Sequence, residues 1–270
     1  MNSSSTFNDL TIILPTLNEE GNILPLIQEL NIVLPGVFII VVDDNSSDCT
    51  PKIVRDLSSN SSKILLIERK SKPCLTLSIV TGINSTKTNY IAWMDADFSH
   101  PPMILKKLYK IAQSSGCCIA TRYHSEYGDT NEMDNNNTKN IQNDTLLSSI
   151  FSYTLNFLIY HILKLKITDY TSGFIVCRRD LISNHQLVGD YGEYFIELMY
   201  FLNRSGIKIK ELFFKSPPRK SGKSKTGKNA FKLLNRGIKY ILIVIRMILP
   251  KIIFRSISLK IEKERINATR

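Results

Sequence analysis

The sequence predicts an α/β domain with a mostly parallel sheet flanked by helices, and three observations carry that expectation. Short apolar runs rich in β-branched residues alternate with stretches of helical spacing. Polar clusters follow those runs, at what would be the carboxyl ends of parallel strands. An apolar content of 43% over 270 residues is enough for one sizeable core with an appendage.

The predicted strands are Leu10 to Pro15 (LTIILP), Val37 to Asp44 (VFIIVVDD), Lys63 to Glu68 (KILLIE) and Asn89 to Asp97 (NYIAWMDAD). Each run is continuously apolar, as expected of a strand covered on both faces. Between them, Glu19 to Leu34 and Thr50 to Leu57 carry helical spacing, with Asp48 or Thr50 placed to cap the second helix beside Pro51. Tyr123 to Asn143 turns to Asn, Asp, Glu and Thr and reads as a mobile loop. Further helices are expected over Ser148 to Leu165 and Tyr191 to Asn203. The division that follows is a disordered N-terminus over 1–9, an α/β domain over 10–228 and a helical tail over 229–270.

In such sheets ligands bind beyond the carboxyl ends of the strands. PTLNEE, DDNSSD and DADFSH all fall there, so loops distant in sequence would line one crevice. If the extended geometry persisted past Met94, Asp95 and Asp97 would point the same way, and two like charges so close need a partner. They are hard oxygen ligands suited to Mg²⁺ or Mn²⁺, which typically takes one or two carboxylates plus substrate phosphates. The competing reading is a pair of solvated or capping aspartates in ordinary turn chemistry before HPP. His100 sits before two prolines and reads as a turn residue, so no histidine base is evident.

Composition excludes several classes. There is no GxGxxG after the first strand and no GxxxxGK[ST], which argues against dinucleotide-binding dehydrogenases and P-loop enzymes. Five cysteines without a CxxC pair support neither a disulfide framework nor a zinc site and fit a reducing compartment. MNSSSTFNDL lacks a basic patch followed by an apolar core, so the domain is expected to face the cytosol. Lys plus Arg number 35 against 24 acidic residues, and the net charge of +11 calls for an anionic partner. Nucleic acid is disfavoured because neither a recognition helix nor an interleaved aromatic platform is evident.

The last apolar segment, from Asn229 to Arg255, is interrupted by Lys232, Arg236, Lys239, Arg246, Lys251 and Arg255. A spanning helix needs about 20 predominantly apolar residues. The expected disposition is therefore an interfacial helix with snorkelling cations, and the alternative is a helix packed on the protein's own core.

PTLNEEGNI, VVDDNSSDCT, MDADFSHPP, TDYTSGF and RKSGKSK together resemble, in order and approximate spacing, the dolichol-phosphate mannosyltransferases, polyprenyl-phosphate glycosyltransferases of family 2. The resemblance covers roughly residues 10–228. It implies a GT-A-type fold, a nucleotide-sugar donor such as GDP-mannose, Mg²⁺ or Mn²⁺, and a dolichyl or polyprenyl phosphate acceptor. It also implies residence on the cytosolic face of a membrane, the plasma membrane in a prokaryote or the endoplasmic reticulum in a eukaryote, and it admits a membrane partner subunit.

Position by position, the resemblance assigns Pro15, Leu17, Glu19, Val42 and Asp44 to the base and ribose pocket. It assigns Asp95, Ala96 and Asp97 to the donor and metal segment, with Ser99 in the place of a further metal ligand. Arg122, Arg219 and Lys225 match the family's phosphate-handling cations, and Asp95, Asp97, Arg219 and Lys225 form the implied catalytic set. Asp169 and the Ser172-Gly173-Phe174 turn match another motif and suit either a structural or a functional role. Leu17 stands where the family usually has Tyr, Ser99 where it has Gln, and Cys74-Leu75-Thr76 where it has Gly-Leu-Gly. A hydroxyl is a shorter, weaker ligand than an amide. A UDP-sugar-dependent glucosyl or N-acetylhexosaminyl transferase, or a weakly active nucleotide-sugar-binding subunit, therefore stands beside the mannosyl reading.

Overall fold

The computed structural model describes residues 6–123, 146–183, 185–217 and 230–249, with side chains from residue 152 onward in the fifth helix and from 237 onward in the last. The polar stretch 124–145, the basic run RKSGKSK with Arg219 and Lys225, and the end of the chain lie outside the described residues.

The first half follows the predicted alternation and adds a helix, α3, that the sequence reading did not place: β1 (Leu10–Thr16), α1 (Ile23–Val33), β2 (Phe38–Asp43), α2 (Thr50–Ser59), β3 (Ile64–Glu68), α3 (Leu75–Ser85) and β4 (Tyr90–Trp93). It continues through α4 (Pro102–Ser115), β5 (Cys117–Thr121), α5 (Leu146–Leu163), β6 (Ile175–Arg178), α6 (Glu193–Arg204), β7 (Ile209–Phe213) and α7 (Ala230–Ile248). Among the described residues the strands form one sheet in the order β3-β2-β1-β4-β6-β5-β7. Only β6 runs antiparallel to its neighbours.

The apolar runs build two cores because strand side chains alternate faces. Leu10, Ile12 and Leu14 of β1, Ile39 and Val41 of β2 and Ala92 of β4 pack beneath α1, α2 and α4, against Leu26, Leu30, Val54, Leu105 and Leu108. Ile13, Ile40, Val42, Ile91 and Trp93 point the other way and meet Ile79 of α3, Ile159 of α5, Leu198 and Met199 of α6, and Ile243 and Val244 of α7. The result is a helix–sheet–helix sandwich. A Cβ added at Gly82 of α3 would sit 2.4 Å from Ile13 Cγ2, so that helix lies directly on β1.

Three departures from the sequence reading arise from local contacts. The first helix begins at Ile23 instead of Glu19, because Asn18 adopts φ 55° and the amides of Asn22 and Ile23 turn back onto the Glu19 carbonyl. In place of capping α2 with its hydroxyl, Thr50 accepts the Glu19 amide at 2.8 Å, while Asp48 Oδ1 accepts the Thr50 amide at 2.9 Å. Order begins before Leu10: Phe7 is buried, its amide donates to the Pro35 carbonyl, and its ring meets Tyr109, so residues 6–9 belong to the domain.

α7 packs on the protein's own core along one face and leaves apolar side chains exposed on another. Ile243 and Val244 enter the core and Lys239 pairs with Asp190 at 2.7 Å, while Ile238, Ile241, Leu242, Ile245 and Ile248 are exposed. No helix among the described residues is long and apolar enough to cross a membrane.

Candidate functional site

The parallel strands deliver Thr16, Asp43, Glu68, Trp93, Thr121 and Phe213 to one edge of the sheet, and antiparallel β6 enters from that edge at Ile175. The loops after β1 and β2 are stitched together there. Asn18 donates its amide to Ser46 Oγ (2.8 Å) and accepts the Ser47 amide (2.8 Å). Glu20 donates to Asp48 (3.1 Å) and accepts the Cys49 amide (3.0 Å). Burial raises the Asp48 carboxyl pKa, but hydrogen bonds from Thr50 and Glu20 outweigh it and hold the group below its ordinary value. Asp43 is spent on the turn, accepting from Ser46 and Thr16.

Among the expected base-pocket residues, Pro15 and Val42 are register partners, with Leu17 and Glu19 following Pro15 into the loop. Val42 is fully buried, which limits it to the floor of any pocket, while Pro15, Leu17 and Glu19 are half-buried. Asp44 is tied in by a residue the sequence reading did not single out. Arg69, directly after β3, pairs with Asp44 and donates to the Cys74 carbonyl (3.2 Å) and Ser78 Oγ (3.1 Å). The second Asp44 oxygen accepts the Cys74 amide at 2.5 Å. Asp44 thus links the end of β2 to the start of α3. The available signal was the basic run Arg69-Lys70-Ser71-Lys72 at a strand's carboxyl end.

The DAD segment differs from the strand extrapolation. β4 stops at Trp93, and Phe98 takes φ 67°, a conformation uncommon for a bulky side chain, while burying its ring. The two carboxylates are therefore not equivalent: Asp95 is exposed and Asp97 is buried. Asp97 Oδ1 accepts the Ser99 amide (3.0 Å) and hydroxyl (2.6 Å), and Ser216 at the exit of β7 donates to the Ser99 carbonyl (2.9 Å). Ala96 and Phe98 on either side of Asp97 are core residues, so Asp97 is embedded and does not sit among polar neighbours alone.

His100 is more than a turn residue. It is buried, stacked on Phe174 with centroids 4.5 Å apart, and its Nδ1 accepts the Asp95 amide at 3.0 Å. Burial pushes its pKa down, against the opposing pull of Asp95 and Asp97.

A third cluster closes this side. Arg122 after β5 donates Nε and Nη2 to the two oxygens of Asp169, both at 2.9 Å, and Nη2 also reaches Thr171 Oγ1 at 2.8 Å. Asp169 is completely buried, whereas the Arg122 side chain is 31% exposed. Burial alone would raise the Asp169 pKa; the adjacent guanidinium outweighs it and holds the carboxyl low. Glu211 of β7 fixes the same loop by accepting from the Thr168 amide, the Thr168 hydroxyl and the Asp169 amide, and its burial raises its own pKa.

Among the described residues no group of three or more His, Cys, Asp or Glu side chains is gathered as a metal site. Two carboxylates flanking one alanine nevertheless fit a hard cation that completes its shell with phosphate oxygens and water. Asp95 and Asp97 would hold it. Ser99 stands beside them with its hydroxyl donated to Asp97.

The family model described as glycosyl transferase family 2 matches residues 11–185. The chain belongs to glycosyl transferase family 2. It is 32% identical over 117 residues to the dolichol-phosphate mannosyltransferase of Pyrococcus furiosus, a match covering 42% of this chain and 33% of that one. It is 29% identical over 120 residues to the Saccharomyces cerevisiae protein of that name, covering 43% and 45%. The matches thus span less than half the length of these curated relatives. Among solved structures, glucosyl-3-phosphoglycerate synthase from Mycobacterium tuberculosis, in complex with Mn²⁺, UDP and phosphoglyceric acid, superimposes with a TM-score of 0.64 at 15% identity, covering 89% of this chain and 79% of that one. The shared architecture is the GT-A type.

Proposed function

We propose that the protein transfers one hexosyl group, mannose from GDP-mannose by first choice, to a dolichyl or polyprenyl phosphate, with inversion at the anomeric carbon. The observation that carries this reading is the convergence at one sheet edge of the Asp44–Arg69 pair, the Asp95/Asp97 turn and the Arg122–Asp169 pair. Relatives named dolichol-phosphate mannosyltransferase support the acceptor class, and a structural neighbour bound to Mn²⁺ and UDP supports a nucleotide donor with a divalent metal.

In this reading Pro15, Leu17, Glu19, Val42 and Asp44 receive the base and ribose, and Ala96, its side chain in the core, belongs to the donor segment between Asp95 and Asp97. Mg²⁺ or Mn²⁺, when bound by those carboxylates with or without Ser99, would neutralise charge on the departing diphosphate. Arg122, its plane fixed by Asp169, keeps the phosphate-handling role that the resemblance gives it. Arg219 and Lys225 keep the phosphate-handling role the family resemblance gives them. The acceptor oxygen belongs to a phosphate whose second pKa is about 6, so it is largely ionised at neutral pH and needs no general base. Rate enhancement would come from alignment and charge neutralisation.

Residues up to about 228 form the catalytic domain in this account, and 229–270 form a membrane-associated tail. The support is an exposed apolar surface on both late helices: Tyr153, Phe157, Leu158 and Ile162 on α5, and Ile238, Ile241, Ile245 and Ile248 on α7. Such a surface suits the interfacial layer of a bilayer's cytosolic face, where a lipid phosphate resides. A UDP-sugar donor is the second reading, supported by the UDP held by the structural neighbour.

Calorimetric titration of the full chain with GDP-mannose, UDP-glucose and UDP-N-acetylglucosamine, with and without Mn²⁺, tests the proposal. Metal-dependent binding of GDP-mannose above the others is expected. Preference for a UDP-sugar selects the second reading, and no binding of any nucleotide sugar removes both.

A further inference from the structure

We infer that His100 is the positioning residue of the metal turn: its neutral imidazole, through Nδ1, holds the backbone of Asp95 so that the Asp95 carboxylate stays poised beside Asp97. The inference rests on the proposed role of those two carboxylates and adds a residue that the pattern DxD does not contain.

Asp95 and Asp97 are secured in different ways. Asp97 has hydrogen bonds to its side chain, from the Ser99 amide and hydroxyl. Asp95 is exposed, and no hydrogen bond among the described residues reaches its carboxylate, so its place depends on its backbone. That backbone has left β4, since the ladder ends at Trp93. The Asp95 amide is instead satisfied by His100 Nδ1 at 3.0 Å. An N–H donor requires Nδ1 to be the unprotonated nitrogen, which places the imidazole proton on Nε2.

The imidazole is itself held on several sides. Its ring lies within 6° of parallel to Phe174 at 4.5 Å and meets Phe214 edge-on at 6.0 Å. Phe174 leads into β6 and Phe214 follows β7, so strands on the far half of the sheet set the ring. Pro101 restricts the His100 backbone to extended conformations and is the N-cap of α4. A rigid ring with one acceptor aimed at one amide is a device for fixing the turn. Outer groups that orient metal ligands are commonly worth about 10- to 100-fold in metal affinity.

Two substitutions separate the acceptor from the ring. His100→Phe keeps an aromatic ring on Phe174 and removes the acceptor; His100→Asn removes the ring and keeps an acceptor, its amide oxygen. Mn²⁺ affinity of the full chain, read from free Mn²⁺ by electron paramagnetic resonance with saturating GDP, is expected to fall about 10- to 100-fold in His100→Phe and to recover most of that loss in His100→Asn. GDP affinity without metal is expected to stay unchanged in both. A ring that merely fills space would give the opposite order, with His100→Phe intact and His100→Asn impaired, and that order overturns the inference.

Asp97→Asn serves as the control for the underlying reading. Mn²⁺ bound equally by wild type and Asp97→Asn removes the metal site and the inference together, whereas Mn²⁺ lost in Asp97→Asn but retained in His100→Phe removes the inference alone. Should His100→Phe fail to fold, the ¹⁵N spectrum of histidine-labelled wild-type protein decides: Nδ1 must be the unprotonated ring nitrogen at neutral pH, and a proton found there refutes the assignment.

Discussion

Replacing Arg122 by Ala removes the cation from a carboxylate that has no access to water. Asp169 loses two charge-assisted hydrogen bonds of 2.9 Å and keeps three acceptor contacts, from the Arg122 amide (3.2 Å), the Thr171 amide (3.1 Å) and the Thr171 hydroxyl (3.1 Å). Breaking a fully buried pair by deleting one partner costs about 3–5 kcal/mol. The partial exposure of Arg122 and the three surviving contacts place this case at the low end, about 3 kcal/mol. For a chain of this size that is a fall of roughly 6–12 °C in melting temperature.

The sign of the pH dependence follows from the depressed Asp169 pKa. A carboxyl held low in the folded state contributes stability that is present above its unfolded value, about 3.9, and is lost as pH falls through the lower folded value. In Arg122→Ala only burial and the remaining hydrogen bonds act, so the variant takes up its proton at higher pH. The stability gap between the two proteins should be widest at pH 7 and should narrow as pH falls through the variant's higher value toward the depressed wild-type value. Urea unfolding at pH 7 and at mildly acidic pH measures it. A gap under about 1 kcal/mol at pH 7, or one that does not change with pH, would refute the buried-pair account.

Gly82→Ala should destabilise by about 1–3 kcal/mol, because its Cβ would lie 2.4 Å from Ile13 Cγ2. Combined with Ile13→Ala it should cost less than the sum of the two single changes, and additive costs in urea unfolding would contradict the close approach of α3 to β1. Arg69→Ala frees Asp44 and the start of α3, so donor affinity by calorimetry should fall by about tenfold, the scale of one charge-assisted hydrogen bond. Unchanged affinity would take Asp44 out of the pocket. Ile241→Asp with Ile248→Asp should strongly reduce co-sedimentation with vesicles containing anionic lipid, since each exposed apolar side chain gains about 1.5–3 kcal/mol on full burial. Undiminished binding would place the membrane contact elsewhere.

The first half of the sheet was legible because β1, β2 and β4 are covered on both faces, and edge strand β3, with Leu65 exposed, still reads as an apolar run. α3 was not, since LTLSIVTGINS combines β-branched residues with a glycine and owes its helix to packing on β1. β6 and β7 were equally hidden: IVCR is only four residues long and IKELF mixes charge with apolar groups, so their pairing with β5 is a tertiary fact. The acidic clusters themselves stood out in the sequence. What secures them did not, because Arg69 lies 25 residues from Asp44 and Asp169 lies 47 from Arg122. The end of β4 at Trp93 and the positive φ of Phe98 leave no mark in the pattern NYIAWMDADF, so the inequivalence of Asp95 and Asp97 required coordinates.

The central claim is transfer to a lipid phosphate, and the most direct measurement is incubation of the purified chain with radiolabelled nucleotide sugars and polyprenyl phosphate, with and without Mn²⁺, followed by organic extraction. The account predicts metal-dependent appearance of label in the lipid phase, greatest with GDP-mannose and lost in Asp97→Asn. Binding of nucleotide sugar with no labelled lipid from any donor would contradict it and leave the chain as a nucleotide-sugar-binding subunit.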